Sequence, residues 1–492
     1  MAEASSPPPP YSFGDQLTGS WRPGRATTTT TVTDPYTGKV LLDLADADTG
    51  DVAEAFTAAR AAQREWGDAL PSERADVLRR AVGIMERRRE EIITWLIQES
   101  GSTRMKATAE WHAVRAITLH ASTLPHLAEG RIIPADVPGK ENRLYRKPVG
   151  VVSVISPWNW PAHLTTRVVA PALVLGNSVV VKPSQETPVT GGFLFGRIFA
   201  EAGLPQGVLN VVSGPASAIG DAFVLNPLSP LLSFTGSTQV GRHIASQAAT
   251  APMLKRVALE LGGNNPLVVL DDADLDLATD AAVFGRFFHQ GEICISANRV
   301  IVQDAVHDAF VDRYVDRVRE LKYGDPNEED TVVGPLISRR QLDNVLDLLA
   351  RSRAQGATTL LGGDPEGLVL PPHVLADVTN DMAVACNEIF GPVAPVIRAA
   401  DEEEALRIAN DTEYGLSSAV FSADGERALA FAHRIEAGMT HINDSPVVDM
   451  PNTPFGGDKN SGLGRFGTHA LLDELTRQHW ISVQHTRPAY PF

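Results

Sequence analysis

An α/β fold built on a parallel sheet is predicted by residues 150–264, where strand-like and helix-like segments alternate. Val151-Val152-Ser153-Val154-Ile155 is a β-branched run too continuous for a strand with one wet face, and Ser178-Val179-Val180-Val181 and Leu209-Asn210-Val211-Val212 repeat its character. Such runs suit parallel strands covered on both faces. The segments between them end in Gly176 and in Ala202-Gly203-Leu204-Pro205, the glycine stop and following proline of helices. That alternation is the pattern of a nucleotide-binding domain. Length supplies a further observation: 492 residues exceed what one growing core holds, so two or three domains are expected.

Taken in order, residues 1–10 end in four prolines and lack the basic-then-apolar order of a signal peptide, which predicts a disordered tail. Asp34-Pro35-Tyr36-Thr37-Gly38 has the punctuation of a turn between short strands. Asp51 to Trp66 and Ser72 to about Gln98 carry apolar residues at three- and four-residue intervals, the mark of surface helices, and Gly101 closes the second. Arg131 to Lys147 predicts a two-stranded ribbon, marginal alone and therefore leaning on something else. Val168 to Val181 is too short and too broken by Pro171, Gly176 and Asn177 to span a bilayer; it predicts a helix running into a buried strand. Phe234-Thr235-Gly236-Ser237-Thr238-Gln239-Val240-Gly241 predicts a strand, a glycine-bounded turn and a helix whose N-terminus could meet a phosphate, although two glycines also serve plain packing.

Charge narrows the partners. With 60 acidic against 43 basic residues the formal net charge is −17, which disfavours nucleic acid and anionic membrane. Two cysteines cannot build a disulfide framework and suggest a reducing, cytoplasmic setting. The 13 histidines are dispersed and no group has metal-ligand spacing, so no catalytic metal is expected. Cys294, in Phe287-Phe288-His289-Gln290-Gly291-Glu292-Ile293-Cys294-Ile295, sits near a flexible glycine. A thiolate is the strongest side-chain nucleophile near neutral pH, but a cysteine between isoleucines also describes a small buried hydrophobe.

Seven motifs together decide between those readings: Ser156-Pro157-Trp158-Asn159-Trp160-Pro161, Lys182-Pro183-Ser184, Phe234 to Gly241, Leu259-Glu260-Leu261-Gly262-Gly263, Gln290-Gly291-Glu292-Ile293-Cys294, Glu388-Ile389-Phe390-Gly391-Pro392 and Pro454-Phe455-Gly456-Gly457. In order and spacing the chain resembles the aldehyde dehydrogenase superfamily from about Tyr11 onward. The resemblance implies an NAD(P)-binding domain (11–128 and 149–261), a catalytic domain (262–470) and an oligomerisation arm (129–148 and 471–492), in a homodimer or homotetramer acting on a small aldehyde. It implies Cys294 as nucleophile, the Asn159 amide with the Cys294 backbone N–H as oxyanion donors, and Glu260 as the base that hydrolyses the thioester to a free acid. An apolar neighbourhood should raise the Glu260 pKa. NAD or NADP would be held by Ile155, Ser156, Trp158, Lys182, Ser184, Gln185, Gly236, Ser237, Gly241, Leu261, Glu388 and Phe390.

Departures from the common pattern point to a subgroup. Gln185 stands where NAD-preferring relatives often carry glutamate, with Glu186 one place later, so dual use of NAD and NADP is one reading and NAD alone the other. Asn264, His289, His441-Ile442-Asn443-Asp444 and Asn452-Thr453-Pro454-Phe455 are most similar to aromatic-aldehyde dehydrogenases of the benzaldehyde, salicylaldehyde and vanillin type. Trp160, Ile293, Ile295 and Phe455 would then line a slot for a ring. An aliphatic aldehyde or a semialdehyde is the alternative; the only arginine that stands out near the thiol is Arg299, of unknown direction. Glu292, where glutamine is common, would raise the thiol pKa if charged. Cys386 is expected to be a small buried side chain behind the loop that carries Glu388.

Overall fold

A computed structural model describes residues 9–491, so most of the predicted tail lies outside the described residues. Two mixed sheets organise the chain. The first runs Trp21–Arg22, Gln16–Leu17, Leu209–Val211, Ser178–Lys182, Val151–Ile155, Leu231–Thr235, Arg256–Glu260 and Gly462–Leu463. Its central five strands are parallel. The three outer pairings are antiparallel. Numbered by chain order, those five lie 3-2-1-4-5, so the order reverses between Val151–Ile155 and Leu231–Thr235. A ligand crevice is expected outside the carboxyl ends of strands at such a reversal.

The predicted buried runs are buried: Val151, Val152, Val179 and Val180 are fully inaccessible. The helix Pro161–Val174 is buried along its whole length and carries the chain from Val151–Ile155 to Ser178–Lys182, closing at Gly176 with φ 87°. The second sheet runs Thr358–Leu361, His373–Ala376, Val393–Ala399, Ala297–Gln303, Asn265–Val269, Ala419–Phe421 and His441–Ile442. All its pairings are parallel except the first.

Three local expectations change. The predicted helix from Ser72 to Gln98 is two helices, Pro71–Arg87 and Arg89–Ser100. The break falls at Arg88, whose guanidinium binds Glu91, Glu201 and the carbonyl of Pro9 instead of facing water. Gly101 does end the second, in the left-handed region at φ 65°. The ribbon is part of a three-stranded sheet: Lys140–Pro148 pairs with Arg131–Ile133 on one side and, over nine residues, with Thr476–Gln484 on the other. The C-terminal strand therefore meets the ribbon within the same chain. Cys386 is exposed at the end of the short helix Ala383–Cys386, whose other three residues take the buried positions and leave the last one facing out.

Among the described residues no helix is long and apolar enough to cross a membrane.

Candidate active site

The crevice at the strand reversal is occupied by a cavity of about 290 Å³. Its walls come from three strand ends: Pro157, Trp158 and Asn159 follow the first strand, Thr235, Gly236 and Ser237 the fourth, and Glu260, Leu261 and Gly262 the fifth. Glu388 and Phe390 close it from the other sheet's side. A second, mainly apolar cavity of about 150 Å³ is lined by Trp160, Leu164, Phe288, Ile293, Ile295 and Phe455, among others. Asn159, Leu164 and Cys294 belong to both walls, so the thiol stands where the two spaces meet.

A strained turn sets Cys294 there. His289, Gln290 and Gly291 all have positive φ, at 51°, 43° and 74°. Such a run is costly for two non-glycine residues and persists only where surroundings hold it. His289 Nε2 lies 2.7 Å from the carbonyl oxygen of Asn159, and Gln290 Nε2 donates to the Pro335 carbonyl at 2.8 Å. Gly291 is required on both counts, since a Cβ there would sit 2.5 Å from the Gly391 carbonyl oxygen.

Asn159 does not cap the helix that follows it; that helix starts with Pro161 and has no side-chain cap. Its amide Nδ2 donates to the Glu292 carbonyl at 2.8 Å, which leaves a second N–H unused. Its own carbonyl also accepts from Lys106 Nζ at 2.8 Å. Lys106 is wholly buried, ion-paired to Glu110, and donates to Ser102 Oγ as well. Glu110 in turn accepts from the His163 backbone N–H at 3.0 Å. A buried, fully bonded ammonium thus fixes the backbone that aims Asn159.

Glu260 ends the strand Arg256–Glu260, and its side chain is buried with Oε2 unpartnered. Burial pushes its carboxyl well above the usual range, opposed by the charges of Arg167 and Arg465. The expected rise is therefore present. Burial also lifts the Cys294 thiol from about 9 to about 12, helped by the Glu388 and Glu260 carboxylates and opposed by Arg167 and the Ile295 backbone N–H. Glu292, unexplained in the sequence, faces away: Ile337 N and Gln290 Nε2 donate to its carboxyl, and burial holds its pKa up at about 8. It is largely neutral at pH 7.

The residues present fit a dinucleotide. Gly262 lies so close to Glu388 that a Cβ would meet Oε2 at 2.5 Å, and the Gly263 backbone N–H holds Oε1 at 3.1 Å. The Lys182 ammonium is buried, with one long contact of 3.5 Å to the Pro183 carbonyl and a pKa lowered by burial to about 8. Such an ammonium lacks the partners that burial normally demands. Ser237 caps the helix Thr238–Thr250, whose N-terminus opens near the cavity.

Of the sequence candidates, Trp158, Gly236, Ser237, Leu261, Glu388 and Phe390 line the larger cavity, and Trp160, Ile293, Ile295 and Phe455 line the smaller. Ile155, Ser156, Lys182 and Ser184 lie at or just beyond the carboxyl ends of their strands. Gln185 is turned away and donates to Thr30 Oγ1 at 2.9 Å, while Ser184 Oγ binds Glu186. Gly241 lies inside its helix, where its missing Cβ makes room for Leu261. Arg299 is spent on the Asn264, Ile408 and Ala409 carbonyls and Asn380, so it is no clamp for a substrate. The arginine that does reach the cavity is Arg167, ion-paired with Asp449 beside His163. Sequence reasoning passed it over; the available signal was a lone charge in the apolar run Leu164 to Val174.

A parallel sheet whose reversal crevice ends at a half-buried thiol defines a nucleotide-crevice protein with a built-in nucleophile. The profile of the aldehyde dehydrogenase family matches residues 21–481, and the chain belongs to that family. It is 48% identical to a vanillin dehydrogenase of Corynebacterium glutamicum, over 95% of this chain and 96% of that one. It is 41% identical to a benzaldehyde dehydrogenase [NAD(+)] of Pseudomonas putida, over 98% and 99%. Among solved structures it resembles a salicylaldehyde dehydrogenase from Pseudomonas putida G7 complexed with salicylaldehyde, with TM-score 0.94 and 38% identity over 97% and 99% of the two chains.

Proposed function

We propose that this chain oxidises aromatic aldehydes to carboxylic acids with NAD or NADP, through a thioester on Cys294. The observation that carries the reading is the meeting of two unlike spaces at that thiol, a polar crevice at a strand reversal and an apolar slot. Attack of the thiolate on the carbonyl carbon forms a thiohemiacetal whose oxyanion takes the free N–H of Asn159 and the Cys294 backbone N–H. A nicotinamide dinucleotide, when bound, supplies the hydride acceptor; Lys182, Gly236, Ser237, Glu388 and Phe390 would hold it. Glu260 then takes a proton from the water that attacks the thioester, and the acid leaves as the thiol is restored. A raised carboxyl suits a base working near neutral pH. Lys182 feels the carboxylate of Glu186, a group that would accept from a ribose 2′-hydroxyl and repel a 2′-phosphate, while Gln185 is turned to Thr30, which supports NAD ahead of NADP.

The same reading extends to assembly. The three-stranded sheet exposes Ile132 and Trp480, at 76% and 62%, together with Tyr145 and Ile481. Exposed strand edges with apolar faces favour association, and we assign this sheet to a homo-oligomer interface, most simply in a dimer.

Substrate class is tested by comparing benzaldehyde with acetaldehyde and succinic semialdehyde at equal cofactor. A ring buries roughly 100 Å² more apolar surface than acetaldehyde, worth about 2.5 kcal/mol if retained in the transition state. Benzaldehyde is expected to lead by at least about tenfold in kcat/KM. A lead for either non-aromatic compound would discard the aromatic assignment and leave the Cys294 mechanism standing.

A further inference from the structure

Oxidation through a thioester needs two negative charges where burial resists them: a thiolate at Cys294 and a carboxylate at Glu260. The cation that both feel is Arg167. It lines the apolar slot together with Cys294, and its guanidinium lies over the Phe455 ring, 4.2 Å from the centroid. The next residue, Gly456, is so close to Glu260 that a Cβ on it would sit 3.0 Å from Oε1. The Arg167 side chain is only 6% exposed, so water screens its charge little. Its charge opposes the effect of burial at the carboxyl and at the thiol alike. Arg465 also acts on Glu260, but its side chain is 30% exposed and paired with Asp458, which weakens its reach.

The remaining neighbours set what that charge is worth. Asp449 is paired with Arg167 Nη2 and offsets part of it. His163, 3.4 Å from Asp449, is neutral at pH 7, since burial pushes its pKa down to about 3. His289 is likewise held neutral by burial, and Lys106 and Glu110 oppose one another as a buried ion pair. Glu292 is largely neutral, held up at about 8, and Glu388, held up at about 7, resists a thiolate. We propose, on the Cys294 reading above, that Arg167 is the buried cation that holds the Cys294 thiolate and the Glu260 carboxylate in their charged forms, and that Asp449 tempers it. Arg167 acts through those two groups, which makes it a positioning residue. An effect of charge has a sign: loss of the arginine disfavours both anions, and loss of the aspartate favours them.

The thiol reports on this without turnover. In full-length protein carrying Cys386→Ala, which removes the other cysteine, alkylation of Cys294 by iodoacetamide is timed by mass spectrometry without cofactor. Below the thiol pKa its rate follows the thiolate fraction. At about pH 8, Arg167→Met is expected to slow alkylation by at least about fivefold and Asp449→Asn to speed it by at least about threefold, while Arg167→Lys, which keeps the charge, stays within about twofold of the parent. The rising limb of kcat/KM for benzaldehyde should move in step, to higher pH in Arg167→Met and to lower pH in Asp449→Asn. Slowing below fivefold in Arg167→Met overturns the proposal. So does equal slowing in Arg167→Lys, which would assign the side chain to packing against Phe455. Should Arg167→Met fail to fold, Asp449→Asn decides, and alkylation unchanged or slower in it overturns the proposal. The wider reading fails separately: a parent protein that oxidises no aldehyde loses the Cys294 mechanism, and this role of Arg167 with it, whatever the alkylation rates.

Discussion

Burial governs the acids at the centre of the site. Cys294 and Glu260 both have pKa values raised by it, the thiol to about 12, so each holds its proton more tightly than it would in water. Each must lose its proton to act, as nucleophile and as base. Activity is therefore expected to climb with pH from neutral into the alkaline range, and a kcat/KM profile that falls between pH 7 and 9 would refute this. Behind them, Lys106 is expected to be a structural linchpin: Lys106→Met strands the buried Glu110 carboxylate, and such breakage costs about 3–5 kcal/mol. Urea unfolding at pH 7 measures it, and a loss below ~1 kcal/mol would mean that Glu110 finds another partner. Cys294, Asn159 and Glu260 were legible in the sequence because each sits in a short motif whose neighbours share its task. Arg167 and Asp449 were not, because they meet across 282 positions and neither carries a local signal of the other.

The turn Phe288–Gly291 is the element on which the thiol depends. Gly291→Ala would place a methyl 2.5 Å from the Gly391 carbonyl oxygen at a φ of 74°, so something must shift. The variant is expected to lose at least about tenfold in kcat/KM, since small misplacements of reacting groups cost that much or more. Retention of full activity would show that the turn can relax without moving Cys294. Strands such as Val151–Ile155 were readable from composition alone, since burial on both faces demands an apolar run. The partner of the ribbon was not, because Thr476 pairs with Pro148 across most of the chain and no periodicity encodes that. The break at Arg88 escaped for a related reason: its helical pattern continues, and only contacts with Glu201 explain why the chain turns.

At the scale of the whole molecule, the two large sheets hold the site between them, and none of its lining residues comes from the three-stranded one. Removing residues 480–492 deletes half of the C-terminal strand that pairs with Lys140–Pro148 and is expected to give monomers or aggregates by light scattering. A truncated chain of unchanged mass would remove the three-stranded sheet from the interface. Hydride loss and hydrolysis are proposed as separate steps on one thiol, with Glu260 serving the second. Rapid-mixing absorbance of Glu260→Gln with benzaldehyde and cofactor tests it most directly. A burst of reduced cofactor near one equivalent per active subunit, followed by a slow phase and absent from Cys294→Ala, is expected; first-turnover formation as slow as the steady state in Glu260→Gln, or a burst that survives Cys294→Ala, would contradict it.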